Sequence, residues 1–340
     1  MVFIRTSFFL LALSTSLCPG AALADDSAKK QTQSVQELKK LADQGDASAQ
    51  QMLGLDYVLG RDVPQDNAEG AKWIRKAADQ GYPRAQSELG FLYTGGKGVP
   101  LDLAEAAKWY RKAAEQGDED GQLDLGLMYF HGAAMQQDYV EAAKWIHKAA
   151  EHQGDLRAQT KLGLLYFMGN GVRQDYAEAE KWYRKAADQG YADAQINLGV
   201  SYLEGKGVPQ DDAEALKWFR KAADQGSAVA QFDVGFMYAE GRGGRQDDAE
   251  ALKWFRKGAE KGSADAQRDL GLLYYHGRGV PQDLEQAYAW LFVANAQGLP
   301  EAASDLDLAK KSLTPPALEQ ARKLSARYLS AYGQPNTTIR

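Results

Sequence analysis

Apolar residues in this chain fall into two alternating stripes, and both have the period of a helix. In Ala85-Gln86-Ser87-Glu88-Leu89-Gly90-Phe91-Leu92-Tyr93, the residues Ala85, Leu89 and Tyr93 sit at i, i+4 and i+8, which is one face of an α-helix. In Ala106-Ala107-Lys108-Trp109-Tyr110-Arg111-Lys112-Ala113-Ala114, the residues Ala106, Trp109 and Ala113 sit at i, i+3 and i+7, the buried face of a second helix. The pair recurs. Trp73, Trp109, Trp145, Trp182, Trp218, Trp254 and Trp290 are the only tryptophans, separated by 36, 36, 37, 36, 36 and 36 residues. A fixed period of that length predicts stacked helix pairs, because each pair must bury its apolar faces against the next.

Helix ends are marked by the same recurrence. The first helix of each pair carries a glycine in its middle (Gly54, Gly90, Gly126, Gly163, Gly199, Gly235, Gly271), at a cost of about 1 kcal/mol against alanine. Its repetition predicts a close approach by a neighbouring helix. A second glycine (Gly60, Gly96, Gly132, Gly169, Gly205, Gly241, Gly277) predicts a left-handed C-cap. A loop such as Gly205–Gln210 follows, with Val208 expected to plug the core. The second helix opens on Asp66/Glu69, Asp102/Glu105, Asp138/Glu141, Asp175/Glu178, Asp211/Glu214, Asp247/Glu250 and, last, Asp283/Gln286. Asp-x-x-Glu at a helix start predicts a capping box, the Glu reaching back to the cap N–H. Seven copies at seven helix starts make these carboxylates caps, not acid–base pairs.

Residues 34–43 read as a degenerate second helix that caps the array, 300–312 as a last first helix, and 314–331 as a final helix. The boundaries expected are a signal peptide at 1–24, a tail and capping helix at 25–45, repeats at 46–298, a capping pair at 299–332 and a tail at 333–340. The polar stretches 25–33 and 333–340 are expected to be disordered.

Arg5, the apolar run Phe8–Leu13 and Ala22-Leu23-Ala24 before Asp25 have the form of a cleaved secretory peptide. The run is too short to span a bilayer, and Leu17 before Cys18 argues against a lipid anchor there. Cys18 is the only cysteine, so the mature chain would have no thiol, which suits an oxidising compartment. A periplasmic or secreted protein is expected. Losing Arg5 takes Lys+Arg from 40 to 39 against 46 acids, and the net charge from −6 to −7. Such a surface is unsuited to nucleic acid or to anionic lipid, and no membrane insertion is expected after cleavage.

The unit Ala-x-x-x-Leu-Gly-x-x-Tyr-x-x-Gly-x-Gly-Val-x-x-Asp-x-x-x-Ala-x-x-Trp-x-x-x-Ala-Ala-x-x-Gly resembles the Sel1-like repeat, a relative of the tetratricopeptide unit; residues 194–226 match it almost throughout. The resemblance implies an all-α fold: a right-handed α/α superhelical solenoid of seven helix pairs, the first helices lining the concave side. It also implies a non-enzymatic scaffold or adaptor. Exported bacterial examples are associated with envelope signalling, host-factor interaction, and motility or exopolysaccharide assemblies. A cysteine-rich branch has been linked to weak β-lactam hydrolysis, but its cysteines are missing here. The third repeat departs from the pattern at Gly132-Ala133-Ala134-Met135-Gln136, the fourth by an extra residue around His152-Gln153, the sixth at Gly243-Gly244-Arg245, and the seventh at Ala289 and Val293-Ala294-Asn295. These put loop conformation in question, not the fold.

Positions that vary between repeats are not dictated by the scaffold. Before each mid-helix Leu/Val-Gly stand Met52, Glu88, Asp124, Lys161, Asn197, Asp233 and Asp269. One turn on stand Asp56, Leu92, Met128, Leu165, Ser201, Met237 and Leu273, and then Leu59, Gly95, His131, Met168, Glu204, Glu240 and His276. The candidate partner site is therefore an acidic ladder (Glu88, Asp124, Asn197, Asp233, Asp269) beside an apolar row (Leu92, Met128, Leu165, Met237, Leu273). It would suit a protein or peptide with basic and apolar side chains. The competing reading packs Leu92, Met128 and their equivalents between repeats. No cofactor or metal is expected: His131, His147, His152 and His276 form no ligand pattern. Ser27-Ala28-Lys29-Lys30 has a Ser-x-x-Lys spacing but no companion motif. Asn336-Thr337-Thr338 is a glycosylation sequon that matters only in a eukaryote. Alternatives are a weak β-lactam or peptidoglycan-amide hydrolase, and a glycan-binding role with Tyr110, Tyr183 and Tyr275 stacking on sugars.

Overall fold

The computed structural model describes residues 35–151 and 155–333, and every regular element among them is an α-helix. A single helix α1 (35–43) precedes eight pairs: α2 (Ala47–Leu59) and α3 (Asn67–Asp79), α4 (Pro83–Gly95) and α5 (Leu103–Glu115), α6 (Glu119–His131) and α7 (Tyr139–Glu151), α8 (Leu156–Met168) and α9 (Tyr176–Ala187), α10 (Ala192–Glu204) and α11 (Asp212–Asp224), α12 (Ala228–Glu240) and α13 (Asp248–Glu260), α14 (Ala264–His276) and α15 (Leu284–Ala296), α16 (Pro300–Lys311) and α17 (Pro315–Tyr332). The fold is an all-α solenoid. It divides into two compact units, whose described parts are residues 35–185 and 186–333. Within each, the two helices of a repeat pack together, as α4 with α5 and α12 with α13, and α16 and α17 both pack on α15. First helices also meet the next first helix, α4 with α6 in one unit and α12 with α14 in the other.

The mid-helix glycines are contact points. A Cβ on Gly90 would lie 2.8 Å from the Tyr110 ring, one on Gly126 2.6 Å from Ile146, and one on Gly235 2.6 Å from Phe255. The residue after each tryptophan fills that space: Tyr110 and Tyr183 are 2% exposed and Phe219 and Phe255 1%, against 7% for Trp109. The tryptophans instead carry a lysine from the next turn, with Lys76 3.6 Å from the Trp73 centroid and Lys221 3.6 Å from Trp218.

Capping follows expectation on one side only. Asp66, Asp102 and Asp211 each accept from the backbone N–H groups two and three residues on. The glutamates do not reach back. The cap N–H is already donated to a tyrosine carbonyl of the first helix, as in Asp66 to Tyr57 (2.9 Å) and Asp211 to Tyr202 (3.0 Å). Glu69 and Glu214 instead hold Lys72 and Lys217, each at 3.0 Å.

The loops keep one backbone through their sequence departures. Gly98 has φ +71, and a Cβ there would lie 1.9 Å from the Asn67 carbonyl oxygen of the preceding second helix. In the third repeat Ala134 takes this place at φ +58, costing about 1–2 kcal/mol in the left-handed region. Val99, Val172 and Val280 pack against core clusters as plugs, and Val208 is half-buried. The altered seventh repeat has its own reason. Helix α15 packs against α16 and α17 as well as α14, and in place of a lysine Trp290 meets Tyr328 and Tyr332, centroids 4.5 and 5.4 Å away. A helix covered on several sides must be apolar nearly all round.

Candidate partner-binding surface

The apolar row expected to line a groove is core. Leu92, Met128, Leu165, Met237 and Leu273 are 2, 6, 1, 1 and 4% exposed and lie in the clusters that hold Trp109, Ile146, Trp254 and Trp290. The competing reading therefore holds. A position two residues beyond the mid-helix glycine faces the packed side of the pair. The open apolar row is one residue earlier: Leu55, Phe91, Leu127, Leu164, Val200 and Leu272 are half-buried, and Phe236 is 38% exposed.

That row stands three residues after the acidic one, so the two share a face of each first helix. In the unit 35–185 the face carries Glu88 and Asp124, and in the unit 186–333 Asn197, Asp233 and Asp269. All five are half-buried. Burial is the main cause that raises the carboxyls, Glu88 to about 8, Asp124 and Asp233 to about 7 and Asp269 to about 6. Partners oppose that shift only in part. Gln51 Nε2 donates to Glu88 Oε1 at 2.6 Å, while Glu88 Oε2 is buried without a partner. Asp124 shares a hydrogen bond with the Tyr110 hydroxyl and feels Arg157, but Arg157 is bound to Asp120 and Asp155. Arg268 reaches Asp269 at 3.3 Å and Asp305 at 2.7 Å. Asp233 has the like charge of Asp265 nearby, which raises it further. The Asn197 backbone carbonyl accepts from Ser201 Oγ at 3.0 Å.

Two of the three aromatic side chains expected to stack on sugars are core. Tyr110 and Tyr183 are buried against Gly90 and Gly163. Tyr275 is half-buried, with its hydroxyl 3.1 Å from Ser312 Oγ. Of the histidines, His131 and His276 pack edge-on to Phe130 and Tyr275, and His147 lies 3.5 Å from Glu151. Among the described residues no cluster of His, Cys, Asp or Glu could hold a metal, and no helix is long and apolar enough to cross a membrane. The proposed signal peptide, Ser27–Lys30, His152-Gln153 and Asn336–Thr338 lie outside the described residues.

Periodicity did not disclose the polar ties between helices. The glutamine of each Ala-Gln pair is buried, at 5% exposure or less. Except at Gln159, whose side-chain amide is buried without a partner, its Nε2 donates to the last-turn alanine carbonyl of the preceding second helix, as from Gln86 to Ala78 (3.1 Å) and Gln195 to Ala187 (3.1 Å). Its Oε1 accepts from the glutamine that ends the following second helix: Gln80 to Gln50, Gln116 to Gln86, Gln225 to Gln195 and Gln297 to Gln267, at 2.7–2.8 Å. The recurrence of Gln at both places, thirty residues apart, was the available signal.

The Sel1 repeat model matches residues 47–82, 83–118, 119–153, 156–191, 192–227, 228–263 and 264–299. Among solved structures, a Sel1 repeat protein from Oxalobacter formigenes is 38% identical over 83% of this chain and 81% of its own, with a TM-score of 0.66. A protective antigen of uropathogenic Escherichia coli strains, displaying an SLR fold, is 31% identical over 90% of this chain and 88% of its own, with a TM-score of 0.51. No curated protein matches. With seven repeats matched over most of its length, the chain belongs to the Sel1 repeat family.

Proposed function

We propose that the chain is an exported, non-enzymatic scaffold of the bacterial envelope. It holds a protein or peptide segment with basic and apolar side chains against the first-helix face of its repeats. Sel1 repeat proteins are generally protein-interaction scaffolds, and the fold is typically non-catalytic. The observation that carries the reading is the set of half-buried carboxyls, Glu88, Asp124, Asp233 and Asp269, raised by burial beside the open row Phe91, Leu127, Phe236 and Leu272. Desolvated carboxyls are a cost to the free protein. Because Met52, Lys161 and Asn197 occupy the same position in other repeats, the scaffold does not require them. A lysine or arginine of a partner would restore their charge and cover the apolar row at once. The export sequence at 1–24 and the absence of thiols from residue 25 onward support an envelope location.

The test selects peptides from a random displayed library on the chain from residue 25 onward. Enriched peptides should combine Lys or Arg with apolar residues, and a folded Asp124→Asn/Asp233→Asn/Asp269→Asn variant should lose them. Peptides without basic residues, or equal binding by the triple variant, would overturn the reading.

A further inference from the structure

The first-helix face is not the same from repeat to repeat, and in the unit 186–333 part of it is left without partners. Asp124 and Asp233 hold the same register in different surroundings. Asp124 shares a hydrogen bond with the hydroxyl of Tyr110, the side chain that fills the space at Gly90. Phe219 fills the corresponding space at Gly199 and has no hydroxyl to offer. Asp233 is half-buried and makes no hydrogen bond or ion pair with any described residue.

Its surroundings are acidic. Asp265 of α14 adds a like charge to Asp233, and Asp265 and Glu240 both bear on Asp269. Glu240 stands two turns beyond Asp233 on the same face of α12. The arginines here are already held, Arg268 by Asp269 and Asp305 at 3.3 and 2.7 Å and Arg278 by Asp248 at 2.7 Å. Asp233, Asp265 and Glu240 therefore have no ion pair among the described residues. One turn beyond Asp233 stands Phe236, 38% exposed, where other repeats have Leu127, Leu164 and Leu272. Its ring is braced: the Phe232 centroid is 6.3 Å away, and Phe232 rests on Phe255 at 5.8 Å.

An open aromatic ring and an unpaired, partly desolvated carboxyl one turn apart on a helix suit one side chain above others. A guanidinium is planar, so it lays its face on a ring while its edge donates two N–H groups to a carboxylate. It also sheds water more readily than an ammonium, which is a strongly hydrated point charge without a flat face. We propose that α12 and α14 present an arginine-docking site: a guanidinium of the partner stacks on Phe236 and donates to Asp233, with Asp265 and Glu240 supplying further negative charge. The inference rests on the first-helix face being the docking surface, and it narrows that reading to one side chain and one anchoring position.

The test titrates Nα-acetyl-arginine amide into the chain from residue 25 onward, at a pH where Asp233 is ionised, and follows the ring signals of isotope-labelled phenylalanine by NMR. Nα-acetyl-lysine amide is the comparison. The arginine derivative should move the Phe236 signals at concentrations about tenfold below those the lysine derivative needs. Asp233→Asn should abolish the response to both. Phe236→Leu, read through the Phe232 ring, should bring the two derivatives to within about twofold of each other. Both substitutions copy what other repeats contain at these positions, Asn197 and Leu272, so both variants should melt as the wild type does. Equal response to the two derivatives, or an undiminished response in Asp233→Asn, would overturn the proposal. Either result would leave the docking reading standing, since its own failure shows as displayed peptides without basic residues.

Discussion

The side-chain amide of Gln116, at the end of one second helix, donates to the buried amide of Gln86 across 2.7 Å. Gln86 in turn donates to the Ala78 carbonyl of the helix before. One side chain thus ties three successive helices. The tie is open at Gln122, Gln159 and Gln231, whose Oε1 atoms are buried without a partner, and the sixth repeat shows one cause. There Lys261 takes the glutamine's place and reaches the Gly226 carbonyl at 3.0 Å instead, and Gln231 Oε1 is buried without a partner. Lys261→Gln should supply the missing donor and stabilise the chain by about 0.5–1.5 kcal/mol. Thermal unfolding checks it: a melting temperature that falls would show that the lysine's own contact matters more.

Gly235→Ala separates propensity from packing. In an isolated helix the change is favourable by about 1 kcal/mol. Here the new Cβ would stand 2.6 Å from the Phe255 ring, and overpacking of that kind costs about 1–3 kcal/mol. Chemical denaturation should show a net loss. The companion Phe255→Leu should recover part of it, through the coupling expected of residues in contact.

Ala134→Gly and Gly98→Ala are the same exchange in opposite directions at equivalent loop positions. The first relieves a left-handed alanine and should gain about 1 kcal/mol. The second adds a left-handed alanine and a clash with the Asn67 carbonyl oxygen, and should lose more than the first gains. Equal and opposite shifts in melting temperature would show that the carbonyl contact is without effect.

The raised carboxyls set a pH dependence. Asp124 and Asp233 at about 7 and Asp269 at about 6 stand above the ordinary aspartate value of 3.8. Between those values the folded chain binds more protons than the unfolded one, so stability falls as pH rises from about 4 to about 7. Asp212 and Asp248, lowered by Arg242 and Arg278, act the other way, and their contribution is lost as pH falls through their lowered values, below 3.8. Melting temperature should therefore rise as pH is lowered from 8 towards 5, and Asp233→Asn should flatten the rise. A melting temperature that climbs with pH across that range would contradict the burial argument.

The repeats, their helix boundaries and the close helix approach at each mid-helix glycine were legible from the sequence because each is written seven times; that Tyr110 and Tyr183 fill the space at Gly90 and Gly163 was not. A residue type recurring at one register, as Gly90 and its equivalents do, reports a constraint that every copy meets. The cap aspartates were legible for the same reason. The direction of Glu69 was not, because that depends on whether the Asp66 N–H is free, and only the approach of Tyr57 decided it. Of the candidate surface, the burial of each row was legible only in part. Glu88, Asp124, Asp233 and Asp269 were picked out by their variation between repeats, but the open apolar row is Phe91 and its equivalents, not Leu92 and its equivalents.

Adjacent residues on a helix point about 100° apart, and a repeat pattern records that both are apolar without recording which one the next helix covers. Sequence by itself determined the family of fold, the periodicity and the cap chemistry, since these are local or repeated. Tertiary structure decided which apolar row of each first helix is core and how Gln86 links three helices. Those are outcomes of packing between segments far apart in the chain, and no local pattern encodes them.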